Sequence, residues 1–295
     1  MFKLKKNKDG SRVFDILNFT ILLLLIVACF YPIWYVFVAS FSNSGVISAN
    51  AGKLLWPQGF SLQAYSKALS HPLILSGFKN ILLILLLSLP LNMVMTIVMG
   101  YFMAAKDLMY KKTLVSFFMF TMFFGGGLIP SYLNMQELGL YDNIWALVIP
   151  GALSLYNAII CKSAIEAIPD SLFESAYMDG ANDFTILFKI ITPLIKPTLA
   201  VLLLYYGVGH WNSWFSASLY IKDKTLLPIQ NVLRSVLLAN NNTLNEGASS
   251  IDAVNSFAET IKYSAIVIST FPILCIYPFL QKYFIKGVMI GAVKG

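Results

Sequence analysis

Long apolar runs alternate with short polar interruptions along this chain, and the alternation predicts an all-α membrane protein. Six runs reach about 20 residues, the length a helix needs to cross a hydrocarbon core of roughly 30 Å. They fall near 15–40, 78–105, 113–130, 143–163, 197–220 and 261–284. Between and beyond them lie a basic N-terminus (1–14), loops at 41–77 and 221–260, and a tail at 285–295. The first run is too long for a cleaved signal peptide, and its Tyr31-Pro32-Ile33-Trp34 stretch too bulky for a small-residue exit. It reads as a permanent span, kinked at Pro32.

One polar interruption, 169–193, carries its own structural signals. Pro169 ends the fourth run, and Ser171 with Glu174 has the Ser-x-x-Glu spacing of a capping box, which predicts a helix start. Leu172, Phe173, Ala176 and Tyr177 share one side of that helix, with Glu174 and Asp179 elsewhere. Gly180 is placed to take the left-handed conformation that stops a helix. Asn182 then caps a second short helix carrying Phe184, Leu187 and Phe188, bounded by Pro193 and Pro197. Pattern alone leaves two readings open, an interfacial amphipathic loop or a docking element.

Composition agrees with the pattern. Of 295 residues 58% are hydrophobic and 12% charged, with a mean hydropathy of +0.72, which excludes an ordinary soluble domain. The net charge of +7 is scattered through loops rather than striped along a face, so it points to membrane topology and not to nucleic acid. With the N-terminus inside, the inner face carries Lys3, Lys5, Lys6, Lys8, Arg12, Lys106, Lys111, Lys112, Lys162, Lys189, Lys196, Lys282, Lys286 and Lys294, which is 14 of 21. Both termini and the 164–196 segment are therefore expected in the cytoplasm. The three cysteines, Cys29, Cys161 and Cys275, lie in or beside apolar runs, so neither a disulfide framework nor a metal site is expected.

Candidate chemistry is sparse. No Gly-x-x-x-x-Gly-Lys-Ser/Thr phosphate loop occurs, so this chain is not expected to hydrolyse ATP itself. The runs hold no acidic residue away from their ends, which argues against a proton- or sodium-coupled carrier. Only His71 and His210 exist, with no acid nearby in sequence, so no catalytic residue is assigned. Asn92, Thr96, Tyr205, Tyr206, His210, Trp211, Asn212 and Trp214 have the amides, hydroxyls and flat rings with which a solute path through the runs would be lined. Helix-to-helix hydrogen bonding and interfacial anchoring are the commoner uses of such groups. Gly125-Gly126-Gly127 before Pro130 fits a packing notch, a hinge or a ragged helix end, packing being the commonest.

Glu174-x-Ala176, then Gly180, Ile190 and Pro193, resembles the cytoplasmic EAA motif of binding-protein-dependent ABC importer permeases, and Asp179-Gly180-Ala181 fits the carbohydrate-uptake branch. Ser175 stands for the usual first alanine and Thr192 for the usual leucine. The Leu55-Trp56-Pro57-Gln58-Gly59-Phe60-Ser61 stretch, the glycine run before Pro130, Trp211-Asn212 and the Lys286-Gly287-Val288-Met289-Ile290-Gly291 tail look like the maltose-type (MalG-like) sugar permeases, more narrowly the LplC/YtcP group. The resemblance covers nearly the whole chain. It implies a type I ABC importer permease fold, with a permease domain over 74–284, in a bacterial plasma membrane. It also implies a cytoplasmic coupling helix formed by Leu172, Phe173, Glu174, Ser175, Ala176 and Asp179, with Gly180, Ala181, Ile190 and Pro193 completing the contact. Gly291, Ala292, Val293, Lys294 and Gly295 would form a second contact, and the 221–260 loop would face a binding protein. The partners implied are a second homologous permease, two cytoplasmic ATPase subunits using ATP and Mg, an extracellular solute-binding protein, a carbohydrate and membrane lipid. This chain would bind no cofactor itself. Uptake of a non-sugar solute, a membrane assembly role and a membrane-embedded enzyme are the other readings.

Overall fold

A computed structural model describes residues 10–49, 54–70, 72–106, 108–235 and 261–275, and every regular element among them is helical. The chain divides into two units, 1–70 with 235–270, and 71–234 with 271–295.

The first unit holds α1 (Gly10–Ser40), α2 (Ser44–Ala49) and α3 (Gln63–Ser70). α1 is one helix of 31 residues with Pro32 inside it. Its large apolar side chains from Phe14 to Phe30 are exposed, the pattern of a helix whose solvent is hydrocarbon. Thr20 returns its hydroxyl to the Ile16 carbonyl at 2.8 Å, so even this polar group is satisfied within the helix. At the far end Val38, Ala39, Ile47 and Leu54 form a small core. The Trp34 indole N–H donates to the Leu55 carbonyl at 2.8 Å, and Trp56 meets the Trp34 ring edge-on at 5.9 Å. These contacts bind the Leu55-Trp56 stretch to the helix.

The second unit is built around α4 (Pro72–Ala104). It continues with α5 (Lys111–Phe123), α6 (Leu128–Glu137), α7 (Trp145–Val148), α8 (Leu155–Glu166) and α9 (Asp170–Met178). α10 (Asp183–Thr185), a π-helical turn (Ile186–Ile191), α11 (Thr192–Leu194), α12 (Lys196–Asn212) and α13 (Phe215–Tyr220) follow. α4 packs against α8 and α12. A Cβ built on Gly100 of α4 would fall 2.9 Å from both Cβ and Sγ of Cys161 on α8, so glycine sets how closely those helices approach. Below that crossing Ile97, Cys161, Ile165, Ala176, Ile186, Leu187, Ile191, Ile195 and Leu202 form one buried cluster, which seats the 169–195 segment on the helix ends.

The six predicted runs are not six straight helices. Among the described residues two helices, Phe14–Ser40 and Pro72–Ala104, are long and apolar enough to cross a membrane; counting each of two bent pairs as one span makes four. The third run turns by 107° between α5 and α6. The turn falls at the glycines, where Gly127 has φ +91° and a Cβ on Gly125 would meet nothing within 4 Å. The triple glycine is thus a helix break rather than a packing notch. The fourth run is interrupted at 149–154, between α7 and α8. The fifth ends its helix at Asn212, and α12 makes an 86° bend with the 183–194 helix before it. Of the sixth run, Ile261–Cys275 is helical and 276–284 lie outside the described residues. Apolarity does not distinguish a straight helix from a broken one, because both must be equally greasy.

Candidate coupling site

The 169–193 segment folds as helix, tight turn and helix, but its start differs from the capping-box expectation. α9 begins at Asp170, and Pro169 before it provides no side-chain cap. Neither Ser171 nor Glu174 makes the expected reciprocal bonds; the Ser171 carbonyl instead accepts the Ser175 hydroxyl at 2.8 Å. Proline at the boundary takes φ −59° and starts the helix at Asp170, so Ser171 already lies inside it and is not in the capping position. Asp170 places its charge in the first turn, where the helix dipole favours it, and takes the Lys106 ammonium at 2.6 Å.

The end of α9 follows the sequence closely. Gly180 has φ +76°, with its N–H on the Tyr177 carbonyl and the Ala181 N–H on the Ala176 carbonyl, both at 3.0 Å. That pair of bonds is a Schellman ending, which needs a residue able to adopt positive φ. Asn182 then accepts the Thr185 N–H at 2.8 Å and opens the next helix.

Two faces emerge. Ala176 is buried in the core cluster, with Phe173, Ala181 and Ile190 packed partly against it. Glu174, Ser175, Asp179, Gly180 and Pro193 are exposed. Leu172 at 43%, Tyr177 at 52% and Met178 at 87% exposure leave apolar surface uncovered, so of the four residues expected on one side only Phe173 and Ala176 turn inward. In the second helix Leu187 is buried and Phe184 and Phe188 are exposed, while Ile186 and Ile191 take inward positions across a π-helical turn. Thr192 accounts for this turn's stability, since its N–H and its hydroxyl, at 2.7 Å, both reach the Leu187 carbonyl.

Attachment to α4 comes from residues the pattern did not single out. One oxygen of the Asp183 carboxylate accepts the Tyr101 hydroxyl at 2.9 Å and the Tyr177 hydroxyl at 2.7 Å. These two donors hold the Asp183 carboxyl below the usual carboxylate range. Tyr101 lies in the last turn of α4, so α4, α9 and α10 meet at one carboxylate. Nothing in the spacing joins positions 101 and 183, although an acid in the first turn of each short helix is a readable dipole signal.

The sequence-level path candidates separate into two groups. Asn92 donates to the carbonyls of Gly151 at 2.6 Å and Ala152 at 3.0 Å, and its oxygen faces His210 Nε2 at 2.9 Å. The Asn92 amide thus uses its nitrogen on carbonyls, which leaves Nε2 of His210 as the protonated donor. Tyr206 accepts the Ser154 N–H at 3.0 Å and pairs with the Thr96 hydroxyl at 2.7 Å. Together these side chains satisfy the unwound backbone at 149–154, which hydrocarbon cannot do. Trp211 is buried with its ring 6.4 Å from Phe78, and its indole N–H has no partner among the described residues. Tyr205 is exposed, and Asn212 bonds back to the Val208 carbonyl at 3.0 Å within its own helix. Gly291 to Gly295 lie outside the described residues, as does 236–260 of the outer loop.

Residues 5–290 match the family described as binding-protein-dependent transport system inner membrane component. This chain belongs to that family. It is a permease of the ABC-transporter type. The polygalacturonan/rhamnogalacturonan transport system permease YtcP of Bacillus subtilis is 36% identical over 286 residues, covering 97% of this chain and 99% of that one. LplC of the same organism is 37% identical over 289 residues, covering 98% and 97%. Among solved structures, a bacterial ABC transporter involved in import of the acidic polysaccharide alginate superposes with a TM-score of 0.86 at 29% identity, over 95% of this permease and 100% of that chain.

Proposed function

We propose that this permease is one membrane subunit of an ATP-driven importer for an oligosaccharide, and that 169–193 is where it receives the power stroke. The two-faced α9 carries the reading. Its inner face, centred on Ala176, is fixed to the permease core, while Glu174, Asp179, Leu172 and Met178 are left for another body. A helix that transmits force needs one face on each partner. In this reading two ATPase subunits bind ATP and Mg and draw the docked helices together, a second permease completes the six-span half-pore pair, and an extracellular binding protein delivers solute. Alternating access is then a two-state equilibrium biased by nucleotide and solute. Both termini face the cytoplasm, Gly291 to Gly295 reach the ATPase pair, and the 221–260 loop meets the binding protein. Tyr205 and Asn212 line the path directly, whereas Asn92, Thr96, Tyr206, His210 and Trp211 shape it from behind.

Because two relatives are named for uronate-rich polysaccharides, oligogalacturonides are the first solutes to test. The assembled importer in proteoliposomes should take up labelled oligogalacturonides in an ATP-dependent manner. Gly180→Val should leave assembly intact and abolish uptake, because a β-branched residue resists φ +76°. Normal uptake by that variant would remove the coupling assignment; ATP-dependent uptake of another solute class would redirect the substrate alone.

A further inference from the structure

Asp183 is set apart from the other acids of the segment by what it touches. Glu174 and Asp179 point outward, but the Asp183 carboxylate faces the last turn of α4 and the last turn of α9 at once. Its two hydrogen bonds are charge-assisted, and such bonds are shorter and about twice as strong as neutral ones. One of them spans 82 residues of sequence and the other only 6. At the opposite end of α9, Lys106 just beyond α4 reaches Asp170 at 2.6 Å. α9 is therefore tied at its start and at its end to the same inner terminus of α4. Between those ties the core cluster keeps it from sliding, because Ala176 lies in the same apolar cluster as Ile97 and Cys161.

We propose that Asp183, with Tyr101 and Tyr177, is a positioning clamp that makes α9 and α4 move as one body, so that displacement of the docked helix becomes displacement of the central span. This rests on the coupling reading above. The clamp adds to that reading a specific linkage: α4, rather than the adjoining α8 alone, is the lever. The alternative is a hinge at the turn, in which α9 rocks independently and the tyrosines only decorate the surface. Tyr101→Phe separates the two, since it cuts the Asp183 tie to α4 and leaves the Lys106–Asp170 pair and the local Tyr177 bond in place.

The test uses the assembled importer, with partner permease and ATPase pair, in lipid nanodiscs. Spin labels replace Met178 on α9 and Leu86 on α4, both exposed, in a background lacking Cys29, Cys161 and Cys275. Double electron–electron resonance measures their separation without nucleotide and after trapping with ATP and vanadate. The clamp predicts one narrow distance that is the same in both states. Tyr101→Phe and Asp183→Leu should broaden the distribution to at least about twice its width on trapping, whereas Tyr177→Phe should broaden it less. A distance that changes on trapping with the clamp intact overturns the proposal, and so does an unchanged distribution in Tyr101→Phe. Mobility of the Met178 label with and without the ATPase pair reports docking separately. A label that stays mobile sinks the coupling reading; one that is immobilised while the distances fail sinks only the clamp.

Discussion

Gly100→Ala is the sharpest test of how the second unit is assembled. The added methyl would sit 2.9 Å from Cβ and Sγ of Cys161 and 3.2 Å from the Lys162 backbone nitrogen, distances at which something must move. Sγ can swing about χ1, but Cβ and the backbone nitrogen cannot, so relief requires α4 and α8 to separate by several tenths of an ångström. Overpacking of this kind costs about 1–3 kcal/mol. Cys161→Gly removes Cβ and Sγ together, at a helix-interior penalty of about 1 kcal/mol. The double variant Gly100→Ala/Cys161→Gly should therefore recover most of the Gly100→Ala loss, giving a coupling energy of about 1–2 kcal/mol. SDS titration in mixed micelles, followed by far-ultraviolet circular dichroism, measures each corner of the cycle. If the two changes add within about 0.5 kcal/mol, the close approach at this crossing is not what limits it.

Three further outcomes can be checked in the same protein. Asn92→Leu strips the donors from the Gly151 and Ala152 carbonyls and should destabilise the fold by about 1–3 kcal/mol, read in the same titration; an unchanged midpoint would refute the support role. Asn182→Ala removes the cap on the Thr185 N–H and should raise amide exchange across 183–186, for a local loss of about 1 kcal/mol. The Asp183 carboxyl is held below its unfolded value, so its contribution is complete above that value and is lost as pH falls through the lower, folded one. Amide protection at the α9–α10 turn should accordingly decline below about pH 4, and Asp183→Asn should flatten that decline.

How much was legible depended on how local the cause was. The polar segment at 169–193, its glycine stop and its Asn182 cap depend on neighbours in sequence, and all three are present. The capping box is absent for an equally local reason: Pro169 starts the helix at Asp170, which puts Ser171 inside it. Which side of the second helix turns inward was not readable, because a π-helical turn keeps neither helical nor strand periodicity. The tyrosine pair on Asp183 and the Asn92 amide on a distant backbone left no trace in spacing, since 82 and 59 residues separate the partners.

Sequence by itself determined the class of this protein: long apolar runs, no phosphate loop, and a short polar segment with its own stop signal. Those properties follow from transfer free energies and backbone preferences, which act residue by residue. Only the tertiary structure decided where the spans break, which polar side chains repair the breaks, and that α9 is tied to α4 through Asp183. Each of these depends on two distant parts of the chain occupying one place, and hydropathy carries no information about which parts those are.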